Sequence, residues 1–187
     1  RKAMNYLRQY IIIGGMPQAM STFIESNDFN EVDKAKRRIH NLYRDDIRKH
    51  ADEYALEVEA IFDEIPSQLK NQNQHFKLSS IKQGARFGEY KEAIFWLADA
   101  MIANNCYNAT EPNVGLRLNL DKRLLKCYMA DTGLLISHAF DEKGIVSSEI
   151  YQKLLFGKLE VNEGMLIENI VAQMLTAGGN KLFFYSK

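Results

Sequence analysis

From Lys2 to Ile13 apolar residues recur at helical spacing, with Met4, Leu7, Tyr10 and Ile11 on one stripe. Gly14-Gly15-Met16-Pro17 then ends that helix and starts another, predicted from Gln18, because glycine suits a helix C-terminus and proline a first turn. A long helix is predicted over residues 31–50, with Val32, Ala35, Ile39, Leu42, Tyr43 and Ile47 as its buried stripe and a basic face opposite. A fourth helix, over 55–64, reaches Ile65-Pro66, where the residue before proline is driven from the helical region and a kink is expected. Asn71-Gln72-Asn73-Gln74 reads as a polar linker and a soft domain boundary.

Beyond it, residues 76–83 fit a short strand entering a helix, 84–88 a turn, and 89–103 an amphipathic helix with Tyr90, Ala93, Ile94, Leu97, Ala100 and Met101 on one face. This is a helix-turn-helix rhythm. Cys106-Tyr107-Asn108, a loop holding Pro112 and Gly115, and then Leu124 to Met129 read as two strands with a long connection, the pattern of a wing. Asp131 is placed to cap a short helix ending near His138. Loops with a short helix over 148–156 follow, then a clear helix over 162–177, a Gly178-Gly179-Asn180 turn and a strand signature over 181–185. That strand has no later strand to pair with, and the chain opens at Arg1 already inside a helical pattern, so both ends read as cuts in a longer protein.

Composition narrows the chemistry. Hydrophobic residues make up 46% of the 187, enough for a real core, and 24 basic side chains balance 24 acidic ones, so binding to a polyanion needs a local patch. No apolar run is long enough to span a bilayer and no signal-peptide pattern appears, which places the chain in the cytoplasm, where Cys106 and Cys127 are expected to be reduced. A phosphate-cradling Gly-x-x-x-x-Gly-Lys-Ser/Thr loop and a Gly-x-Gly-x-x-Gly turn are both absent, as is a Gly-x-Ser-x-Gly elbow. The histidines, His40, His50, His75 and His138, lie on different elements without metal-ligand spacing.

Charge is locally uneven. Lys34, Lys36, Arg37, Arg38, Arg44, Arg48 and Lys49 set seven positive side chains against Asp45 and Asp46, a net of +5 on one helix. Such a run reads either as a solvated face with i,i+4 pairs or as a track for phosphates. The would-be recognition helix carries Glu89, Glu92 and Asp99 against Lys91, a net of −2, which argues against its entering a major groove. Basic groups flank it, with Arg117, Lys122 and Arg123 in the wing, so a wing-led contact with nucleic acid stays open.

Six short stretches in order carry a family likeness: Tyr10 through Pro17; Tyr43 with Asp46-Ile47; Ile65 to Leu69; Trp96 to Ala100; Lys126 to Leu135; and Glu163 to Val171. With these the chain resembles the C-terminal part of bacterial and archaeal AAA-family ATPases, in which a helical region of unknown function and a winged helix lead into a restriction-endonuclease-like domain. The resemblance implies an ATPase module upstream, as the partner that holds ATP and magnesium, with no cofactor in this chain. It implies that Gly15 and Pro17 match a lid element touching adenine, against the plainer reading of a helix-to-helix corner. It also implies that Glu168 matches one acid of the nuclease-like fold, the other metal residues lying after Tyr185. One carboxylate cannot hold a catalytic magnesium, so no complete metal site is expected here.

The expected fold is therefore mainly α: a helical lid or connector over residues 1–74, a winged helix-turn-helix over 75–138, and a connector with the truncated start of an α/β restriction-endonuclease-like domain over 139–187. The expected role is a non-catalytic regulatory or partner-binding region of an ATP-binding protein. The alternative is a winged-helix DNA-binding regulator, contacting phosphates through Lys34, Arg37, Arg38, Arg44, Arg48, Arg117 and Lys122.

Overall fold

The computed structural model describes residues 2–71, 75–113, 115–140, 148–155 and 163–186. The protein is mainly helical with a small three-stranded sheet. Helices α1 (Lys2–Ile13), α2 (Pro17–Ser26), α3 (Phe29–His50), α4 (Ala55–Lys70) and α5 (Phe87–Asp99) precede strands β1 (Ala103–Ala109) and β2 (Leu120–Met129). Helices α6 (Thr132–Ala139), α7 (Ser148–Leu155) and α8 (Glu163–Ala177) and strand β3 (Leu182–Phe184) follow. Short 3-10 turns lie at Asp52–Tyr54, Leu78–Ser80 and Leu116–Asn119.

Two compact units result, each built from two stretches of chain. The first combines residues 1–45 with 131–170 and the second 46–130 with 171–187. In the first, Ile11, Ile12 and Ile13 close the end of α1, and Val32, Ala35 and Ile39 of α3 are buried, as are Leu134, Leu135 and Ile136 of α6. Phe23, Phe29 and Tyr151 stack in series, with ring centroids 5.2 and 5.7 Å apart. In the second, Val58, Ile61, Phe62, Ile65 and Leu69 of α4 and Tyr90, Ala93, Ile94 and Leu97 of α5 supply the helical part of a core that Leu125, Cys127 and Met129 complete from the sheet.

The sheet order is β2-β1-β3. Strands β1 and β2 are antiparallel, from Ala103 opposite Met129 to Ala109 opposite Leu120, with an irregularity between Tyr107 and Asn108. The closing strand finds its partner upstream: β3 runs parallel to β1, with Tyr107 opposite Phe183. Asn108, buried, accepts from the Ser186 amide at 3.1 Å and fixes the end of β3.

Four expectations need correction. Helix α4 does not end before Ile65-Pro66 but runs on to Lys70 with Pro66 inside it. An interior proline costs about 3 kcal/mol, and the burial of Ile65, Gln68 and Leu69 in the continued turn outweighs it. No strand forms over 76–83; Phe76 gives a single backbone bond to Leu125 O at 2.7 Å and a 3-10 turn follows. Leu42, assigned to the buried stripe of α3, is 54% exposed. Lys36, assigned to its basic face, is fully buried. The expected linker at 71–74 lies, apart from Asn71, outside the described residues.

Helix α5 also stops earlier than its apolar pattern suggests. Met101 adopts φ 56°, its N–H reaches Ala98 O at 3.0 Å, and the Ile102 N–H reaches Leu97 O at 3.0 Å. These are the paired bonds of a Schellman ending, in which the left-handed residue is usually glycine. With methionine there, the sequence carries no stop signal.

Candidate functional site

The Gly-Gly-Met-Pro corner and the Asp131-Thr132-Gly133 stretch are two halves of one contact. Gly14, at φ 85°, closes α1 through its N–H on Tyr10 O at 2.8 Å. Asp131 then serves both sides: Oδ1 accepts from Leu134 N at 2.9 Å, capping α6, and Oδ2 accepts from Gly15 N at 2.6 Å. A side chain on Gly14 would collide with the Asp131 carboxylate, and one on Gly133 would stand 2.5 Å from Gly14 N. Burial first, and the nearby Asp131 charge second, push the Tyr10 and Tyr43 phenols up. Of the two residues matched to an adenine-touching element, Gly15 has its N–H committed to Asp131, while Pro17 stands exposed in the first turn of α2.

A second polar cluster lies in the same unit. Lys36 Nζ donates to Ile12 O at 2.9 Å and to Tyr151 Oη at 3.0 Å. Tyr151 Oη donates to Asp33 Oδ1 at 2.6 Å, and Asp33 Oδ2 accepts from Arg37 Nε at 2.8 Å. Burial pulls the Lys36 ammonium down to about 8, with Asp33 opposing, and pushes the Tyr151 phenol up. His40 sits nearby in sequence with Nε2 at 2.9 Å from Ser137 Oγ, and its ring stands 5.1 Å from that of His138. Sequence reading missed this cluster. The signal was present: Asp33, Lys36 and His40 follow one another at spacings of three and four, beside the apolar stripe.

The basic run of α3 is thus divided. Lys34 pairs with Glu31 at 2.7 Å, Arg37 with Asp33, and Arg48 with Glu59 at 3.0 Å. Arg38 is exposed and Arg44 half-buried. The basic residues between and along the paired strands fare differently. In the second unit a cavity of about 570 Å³ opens along β1 and β3, lined by Asn104, Tyr107, Arg117, Lys122, Lys181 and Phe183 among others. No carboxylate lines it, and none of its three cations forms an ion pair with a described residue. A second cavity, about 450 Å³, has the opposite sign, with Asp52, Glu53, Glu92 and Asp99 around Tyr54, Phe95 and Trp96. Only the first suits an anion.

Other candidate chemistry is confined. Cys106 and Cys127 are buried and not in a disulfide, and burial, with a smaller effect of Cys106, pushes the Cys127 thiol up to about 12, far from a reactive thiolate. Among the described residues no group of three or more His, Cys, Asp and Glu gathers to hold a metal. Glu168, on α8, is half-buried. No helix of the described residues is long and apolar enough to cross a membrane.

The pattern described as Domain of unknown function (DUF8612) matches residues 4–143, and the chain belongs to that family. Comparison with curated proteins and with solved structures gives no match.

Proposed function

We propose that this chain is a non-catalytic regulatory and partner-binding region of an AAA-family ATPase, in which residues 1–74 act as lid or connector and 75–138 form a winged helix. The observation that carries the reading is the order of the second unit. Helix α4, the 3-10 turn, helix α5 and the β1–β2 hairpin follow the helix-helix-helix-wing order, and the Phe76 bond to Leu125 O stands where a winged helix has its first strand. ATP and magnesium belong to the partner module, and exposed Pro17 is the position of this chain offered to the nucleotide. Residues 139–187 are read as leading into a nuclease-like domain, with Glu168 the one residue of this chain matched to its metal site. The purified chain is expected neither to hydrolyse ATP nor to cleave DNA with magnesium. Robust turnover of either substrate overturns the reading.

A second reading, a nucleic-acid-binding winged helix, is favoured by the carboxylate-free cavity beside the wing. Helix α5 remains acidic, so contact would be led by Arg117 and Lys122. Binding of a labelled duplex should weaken steeply with salt, and reversing both charges should flatten that slope by about 0.9 for each phosphate no longer neutralised. A mobility shift unchanged in the doubly reversed chain counts against it.

A further inference from the structure

We infer that the cavity along β1 and β3 receives one unpaired nucleotide of a single-stranded nucleic acid. The inference rests on the nucleic-acid reading of the second unit and narrows it to a strand type and a pocket. At about 570 Å³ the cavity falls within the roughly 300–1,000 Å³ of small-ligand sites, a fit for one nucleotide rather than for a rigid duplex. Its lining supplies two kinds of group such a ligand needs, cations for the phosphate and aromatic rings for the base. Arg117, Lys122 and Lys181 meet the phosphate, each exposed and without an ion pair to a described residue.

Tyr107 and Phe183 face each other in register across neighbouring strands, so both side chains lie on one side of the sheet, and both line the cavity half-buried. Aromatic residues so placed stack on a base only when its face is open, and in a duplex that face is covered by the next pair. The acidic cavity of the same unit, with its four carboxylates, repels the same ligand and leaves a single receptive place among these two.

The test is fluorescence anisotropy of the whole chain with a labelled thymidine 12-mer, the same sequence as a duplex, and thymidine monophosphate as competitor. Expected is at least tenfold tighter binding of the single strand than of the duplex, a tenfold or greater loss with Lys181→Glu, and a loss with Phe183→Leu. Stacking worth about 1–3 kcal/mol per base sets that last loss at roughly 5- to 150-fold for the single strand and near unity for the duplex. Circular dichroism of Phe183→Leu, which keeps apolar bulk in β3, separates lost stacking from lost folding.

Equal binding of both strands, with no effect of Phe183→Leu, overturns the cavity inference while leaving wing-led duplex binding in place. Sensitivity to Arg38→Glu in α3 instead of Lys181→Glu also overturns it. A mononucleotide that binds as tightly as the 12-mer replaces it with a soluble-nucleotide site. Failure of every probe to bind sinks both the inference and the nucleic-acid reading beneath it.

Discussion

At Gly133 a methyl group has nowhere to go. A Cβ there would press on the backbone of Ile13 and Gly14, and backbone cannot swing aside as a flexible side chain does. Gly133→Ala is therefore expected to cost about 2–4 kcal/mol, read as a lowered urea midpoint, with an unchanged midpoint as the refuting result. Lys36 makes a different residue-scale claim. Burial lowers it to about 8 from 10.5, so between those values the unfolded chain keeps a proton that the folded chain has released. Stability attributable to Lys36 must rise with pH across that window, by up to about 1.4 kcal/mol per unit, the cost of burying the charge being fully present below it. Tyr151, whose phenol burial pushes up, acts oppositely at higher pH, where its unfolded-state ionisation favours unfolding. Urea midpoints between about pH 8 and 10 should therefore climb in the native chain relative to Lys36→Met; parallel curves would refute the assignment.

Among elements, periodicity located most helices to within a residue or two, because apolar spacing and the Gly14 to Pro17 corner act locally. It failed where tertiary contacts overrule local preference. The turn after α5 is made left-handed at a methionine, at an expected cost of about 1 kcal/mol relative to glycine. Met101 is 78% exposed, so truncation there sacrifices little burial. Met101→Gly should raise stability by about 0.5–1 kcal/mol, seen as a higher thermal midpoint; a lower midpoint would mean the side chain has a packing role the exposed position does not suggest. Pro66 is the mirror case, a residue whose local rule demands an interruption that the buried positions around it override.

For the whole molecule, the decisive fact is that each compact unit is closed by chain returning from far along the sequence. The family match ends at residue 143, yet Tyr151 completes the Lys36 and Asp33 cluster, and β3 completes the sheet beside β1. A chain cut after residue 143 is expected to lose the Tyr151 hydroxyl from both Lys36 Nζ and Asp33 Oδ1, each lost buried hydrogen bond costing about 1–3 kcal/mol. It should melt at lower temperature than the full chain and show weaker near-ultraviolet dichroism. Equal melting would show the matched segment to be self-sufficient.

The balance of 24 basic and 24 acidic side chains was readable from the sequence alone, and so were the helical character, the hairpin, the Gly14 corner and the Asp131 cap. Those properties depend on residue type and on spacing within one turn or strand, which a sequence displays directly. What the tertiary structure decided was which groups share a place. It joined Gly15 to Asp131, turned Lys36 from a surface charge into a buried donor, paired the last strand with β1, and brought Lys181 to the same cavity as Arg117 and Lys122. Each of these depends on contacts between residues distant along the chain, whose burial and pairing energies exceed the local preferences that periodicity reports.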